Sequence, residues 1–232
     1  MSDSVSGRGY RSHVFRLAAL ILALIVLAFV CVATWFAPGF LIREAAGSGN
    51  LKAIDLLLAC NHRLVSDRGF FRQTPLHFAA AHDQKGAAAL LLANGADVDA
   101  KTDLGATPLA MAAGAGDEDM MELLLANHAD VNGRDMEGFQ QSILFNAVLD
   151  HRRTVADFLI RHHADVNAPD YFGRTPLYEA TDQDDKDMVE LLLANHADVN
   201  AKDKDGVTPL RLAVVYRKDD VVELLQSHGG RE

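Results

Sequence analysis

Hydrophobic positions along the chain fall into two regimes. From Leu17 to Ala37 the chain is apolar apart from Thr34, 21 residues free of charge. From Phe40 onward apolar residues come in short blocks with polar punctuation: Thr-Pro followed by Leu-x-x-Ala-Ala, then a leucine run such as Met188-Val189-Glu190-Leu191-Leu192-Leu193, then a turn. Thr or Ser caps a helix and Pro fits its first turn, so the first block predicts a short helix whose small residues allow close packing. The leucine run predicts a second helix, and Gly95 and Gly229 after it suit a left-handed helix end. His128, His163 and His196 stand at that position in other copies, at some cost in stability because non-glycine residues resist positive φ.

The blocks recur at a nearly fixed interval. Thr-Pro-Leu begins at Thr74, Thr107, Thr175 and Thr208, and Ser142-Ile143-Leu144 is a degenerate copy, giving steps of 33, 35, 33 and 33 residues. Ala-Asp-Val begins at Ala96, Ala129, Ala164 and Ala197, with steps of 33, 35 and 33. On this period, and on Thr74-Pro75-Leu76-His77-Phe78-Ala79, the chain resembles the ankyrin-repeat family from about residue 38 to the end. The resemblance implies an all-α solenoid of helix-turn-helix pairs joined by β-hairpin loops, with six repeats. Phe40-Leu41-Ile42 and Asp55-Leu56-Leu57-Leu58 form the first repeat, with Asn61 at its turn, and Gln226 and Ser227 give the last a polar end.

Three segments follow: a basic tail over 1–16, a transmembrane helix or signal anchor over 17–37, and the repeat domain over 38–232. As a helix, the 21 apolar residues suffice to cross a hydrocarbon core of about 30 Å. Trp35 and Phe36 suit the far interface, and Pro38-Gly39 ends the helix. Cys31-Val32-Ala33 also fits a small-x-small cleavage site, which leaves secretion to the periplasm open. Arg8, Arg11 and Arg16 outnumber Arg43 and Lys52, favouring a cytoplasmic N-terminus. The expectation is a single-pass protein of a bacterial inner membrane, monomeric, with its repeats in the periplasm.

Charge narrows the partner. With 32 acids against 22 Lys and Arg, the net charge of −10 disfavours nucleic acid, whose phosphates are held by cations. His77 is the family's own turn-supporting histidine, and its equivalents are Ala110, Phe145, Tyr178 and Arg211. His128, His163 and His196 recur once per repeat, too far apart to share a zinc ion, so no metal or cofactor is expected. The run Glu179, Asp182, Asp184, Asp185 and Asp187 has no glycine and no calcium-loop spacing; it reads as a solvated edge or as a docking patch for a basic partner. Gly47-Ser48-Gly49 and Gly114-Ala115-Gly116 fall in turns between helices, and neither follows a strand. No nucleophile motif is present, and no enzymatic activity is expected.

The informative departures lie at the loop tips, which the family exposes. Phe70 and Phe71, Leu104, Met136 with Phe139, and Tyr171 with Phe172 and Arg174 put apolar groups where solvent favours polar ones. They form a candidate partner-binding stripe, with Asp182 and Tyr216 contributing from the ends of first helices. Packing under the first cap remains open for Phe70 and Phe71, and accommodation of the two-residue insertion for Met136 and Phe139. Two functions are expected from the resemblance: a tethered adaptor or inhibitor, for example one that neutralises a toxin, or an accessory protein that stabilises a periplasmic enzyme.

Overall fold

The computed structural model of the protein describes residues 38–134 and 139–232. The basic tail, the apolar segment 17–37 and Met136 lie outside the described residues. Among those described, no helix is long and apolar enough to cross a membrane. The chain divides into two compact units, Met1–Leu41 and Ile42–Glu232. Residues 38–41 of the first are helical.

The second unit is a stack of six helix pairs among the described residues. Helical residues 42–47 (α1) and α2 (Leu51–Cys60) form the first, and short 3-10 turns at His62–Ser66 and Phe70–Arg72 lead to α3 (Pro75–Ala81) and α4 (Lys85–Ala93). The pairs α5 (Pro108–Ala115) and α6 (Glu118–Ala126), α7 (Ile143–Leu149) and α8 (Arg153–Arg161), α9 (Pro176–Asp182) and α10 (Lys186–Ala194), and α11 (Pro209–Val215) and α12 (Asp219–Ser227) follow. From α5 onward each first helix starts for the same reason. The hydroxyls of Thr107, Ser142, Thr175 and Thr208 accept from the amides three residues on, at 3.1 to 3.3 Å, and Pro occupies the first turn except after Ser142.

Packing runs in columns along the stack. Leu76, Leu109, Leu144, Leu177 and Leu210 are buried in the first helices, and Leu91, Leu124, Leu159, Leu192 and Leu225 in the second. Ala80, Ala113, Val148 and Thr181 form another buried column, Thr181 satisfying its hydroxyl on the Leu177 carbonyl at 2.8 Å. Val214, next in that column, is exposed.

A hydrogen-bond ladder sets the height of each loop. Asp99 Oδ1 accepts from the Asp130 amide at 2.9 Å, Asn132 from Asp165 at 2.8 Å, Asn167 from Asp198 at 2.7 Å, and Asn200 from Arg231 at 2.8 Å. Arg231 thus takes the place that an aspartate of a further repeat would fill. His128, His163 and His196 adopt the left-handed conformation read from the sequence, with φ of 66°, 67° and 65°.

Three expectations need correction. The loops are not β-hairpins: among the described residues there is no strand, only the isolated bridge between Arg134 and Ser142. Each excursion is too short for a ladder and closes on a bond such as Asp170 N–H to the Arg174 carbonyl at 2.9 Å. Asn61 is extended, with φ −153°, and its side chain caps the following 3-10 turn by accepting from Arg63 N–H at 3.2 Å. Gly114 and Ala115 belong to α5 rather than to the turn, which is made by Gly116 at φ 77°.

Leu192 is fully buried in its column, between Leu159 and Leu225. Leu192→Ala should destabilise the fold by about 2 to 5 kcal/mol in denaturant titration; a loss below about 0.5 kcal/mol would place that helix at the surface.

Candidate protein-binding face

Backbone bonds link the tips in two groups, the Phe71 tip to the Asp103 tip and the Phe139 tip through the Tyr171 tip to the Lys204 tip. Asp103 N–H donates to the Phe71 carbonyl at 2.9 Å, Tyr171 N–H to Phe139 at 2.6 Å, and Lys204 N–H to Phe172 at 2.9 Å. Adjacent tips therefore present their side chains as one edge.

The tip carrying Tyr171 and Phe172 has the most developed framework. Asp170 is buried, and its Oδ1 accepts from the amides of Phe172 and Arg174 at 2.8 and 2.9 Å. Its Oδ2 accepts from Arg174 Nε at 2.9 Å and Nη2 at 2.7 Å, so one carboxylate organises the whole turn. Gly173 completes the turn at φ 82°, and an added Cβ there would stand 3.0 Å from Lys204 N, so a larger residue would push the next tip away.

On this framework the rings meet. Phe172 lies 5.9 Å from Phe139 and 5.4 Å from Tyr171, centroid to centroid, the second pair edge to face. Arg174 sits 5.1 Å over the Phe172 ring, and Lys204 Nζ 3.8 Å over that of Tyr171. The cluster nevertheless stays open to solvent, with Phe139, Tyr171 and Phe172 exposed at 51, 50 and 43%.

Of the sequence candidates, the structure brings together Phe139, Tyr171, Phe172 and Arg174. Arg174 serves chiefly as the partner of Asp170. Phe70 and Phe71, exposed at 89 and 68%, lie at the tip before α3, where Phe71 takes φ 57°. Leu104 is half exposed at the next tip. Asp182 and Tyr216 are exposed at the far ends of α9 and α11. Met136 lies outside the described residues.

Glu179 departs from its expected place in a solvated acidic run. It is buried, 3.8 Å from Arg174 Nη1, and its Oε1 accepts from Gln183 Nε2 at 3.2 Å. Burial raises its pKa, with Arg174 opposing that shift. Burial, followed by the charge of Asp203, pushes the Tyr178 hydroxyl up to about 12, so it stays protonated. Lys204 was not a sequence candidate, because its seat on Tyr171 depends on the offset between adjacent tips.

The family described as ankyrin repeats (3 copies) matches residues 42–135 and 144–231, and the chain belongs to this family. Its structure is similar to the crystal structure of the ankyrin repeat domain of Bcl-3, a unique member of the IkappaB protein family. That similarity has a TM-score of 0.76 and 28% sequence identity, covering 82% of this chain and 86% of the other. No curated protein sequence matches the chain. An ankyrin array is a protein–protein interaction module, and the face above is where this one departs from a plain repeat.

The double change Tyr171→Ala and Phe172→Ala should lower the melting temperature by no more than about 4 °C, since the two ring pairs it removes are exposed and count at the low end of the aromatic range, roughly 0.5 kcal/mol each. Asp170→Ala should cost about 3 to 5 kcal/mol by leaving Arg174 without its partner in the turn. Equal losses from the two variants, read by calorimetry, would make the rings part of the core.

Proposed function

We propose that the array docks a partner protein on its aromatic tips and first-helix face, as an adaptor or inhibitor that performs no catalysis itself. The carrying observation is the cluster of Phe139, Tyr171 and Phe172, held rigidly by Asp170 yet half open to solvent. Aromatic rings give large contact area with few rotors to freeze, which is how binding surfaces concentrate energy. The neighbouring acids Asp182, Asp184 and Asp187 are exposed, and the net charge of −10 suits a partner with a basic surface. Neutralisation of a toxin is one form of this role; support of a periplasmic enzyme is the alternative.

The working site of this module is a bacterial membrane. Residues 17–37 hold the chain in the lipid bilayer, and the bias of Arg8, Arg11 and Arg16 puts the repeats on the periplasmic side. The uncharged run, rather than any described helix, supports this tether.

Two measurements on the full-length chain in its own membranes test the reading. Protease outside intact spheroplasts should digest the repeats, and full protection would overturn the topology. A partner captured by the chain should be lost with Tyr171→Ala and Phe172→Ala and kept with Glu190→Ala, a change on the exposed side of α10. Loss only with Glu190→Ala would move docking to the second helices.

A further inference from the structure

At His77 and Ala110 the third position after the helix cap faces the following repeat. His77 fills it with a bridge. Thr74 N–H donates to His77 Nδ1 at 3.1 Å, which leaves the proton on Nε2 to be donated to the Ala106 carbonyl at 3.1 Å. Burial lowers the pKa of this imidazole and favours that neutral form. Phe145 and Tyr178 fill the position with buried rings. Ala110 does neither: its methyl group is too short to reach the next loop and carries no polar atom.

The result is an open slot between α5 and α7. Its volume is about 270 Å³, and Ala110, Met111, Gly114, Ile143, Asn146 and Asp150 are among its walls. Drug-sized ligands occupy pockets of roughly 300 to 1,000 Å³, so this slot suits a single side chain of a larger partner. Its lining is mainly apolar, with Asp150 and Arg152 at the helix-end mouth as an exposed ion pair, Oδ2 to Nε 3.8 Å, which a second cation can join at the Asp150 carboxylate. Asp182 and Asp184 continue the same edge in the next repeat, both exposed.

We propose that this slot is the specificity pocket of the docking face, taking one apolar side chain of a partner peptide segment whose adjacent Lys or Arg pairs with Asp150. The inference rests on the protein-docking reading above and narrows its partner to a basic segment with an apolar anchor. The side chain replaces in trans what His77, Phe145 and Tyr178 supply in cis at the other interfaces. The acidic edge then selects the charge beside it.

Gly114 gives a clean test, because a Cβ added there meets nothing within 4 Å and its φ is not positive. Gly114→Leu should plug the slot without disturbing the fold. Ala110→His, which rebuilds the bridge of His77, closes it by a second route. The full chain in detergent micelles is used to select from a phage library of random dodecapeptides, and the enriched peptides are titrated by fluorescence anisotropy. Enriched peptides should pair an apolar residue with Lys or Arg, bind each filled-slot variant at least tenfold more weakly, and lose salt dependence with Asp150→Asn. Melting temperatures of both filled variants should equal or exceed that of the parent.

Peptides that bind Gly114→Leu and Ala110→His unchanged but lose Tyr171→Ala and Phe172→Ala would overturn the slot and leave the docking face standing. Peptides indifferent to all of these changes would remove both. Failure to enrich any basic peptide, or a dimer in sedimentation that Gly114→Leu dissolves, would also overturn the proposal, the latter by making a second copy the occupant.

Discussion

Everything in this array depends on one repeated bond, from the backbone of each loop to an Asp or Asn side chain one repeat earlier. Asp99, Asn132, Asn167 and Asn200 each accept an amide from the next repeat or its C-terminal stand-in. A strand ladder would fix loop height with many bonds; here the same short side-chain bond recurs from repeat to repeat, backed by leucine columns that are fully buried or nearly so. With height fixed, the tips fall into line, and Tyr171 can bond Phe139 while Lys204 bonds Phe172. Functional geometry is thus a by-product of stacking.

Once stacking is settled by the residues that repeat, function is left to those that do not. The third position after the cap changes from His77 to Ala110, Phe145, Tyr178 and Arg211, and the tips change from Phe70 to Leu104 to Tyr171. At the tips such variation is tolerated because these side chains sit outside the columns. Asp170 marks the limit of that freedom: it lies in a variable loop but is buried, and it holds a turn and an arginine at once.

Elements that repeat were legible in the sequence, since each copy checks the others. The helix pairs, the caps at Thr107 and Thr175 and the left-handed histidines were read from spacing and residue type alone. Features that depend on the offset between neighbouring repeats were not. Glu179 looked like part of a solvated run, but its helical phase turns it inward against Arg174 and Gln183. Lys204 needed the position of Tyr171, and the slot beside Ala110 is a missing side chain whose meaning emerges only when the next helix is in place. The expected β-hairpins failed on length, because a turn closed between Asp170 and Arg174 leaves no residues for a ladder.

The central claim is that one face of the stack, built from tips and first helices, meets the partner while the second helices do not. Site-specific photocrosslinking in living cells addresses this directly, with a photoreactive residue placed at Phe172, at Val215 or at Glu190 of the chain. All three positions are exposed and belong to different helices or loops of the array. The account predicts the same discrete adduct from positions 172 and 215 and none from position 190. An adduct from position 190 alone would contradict it.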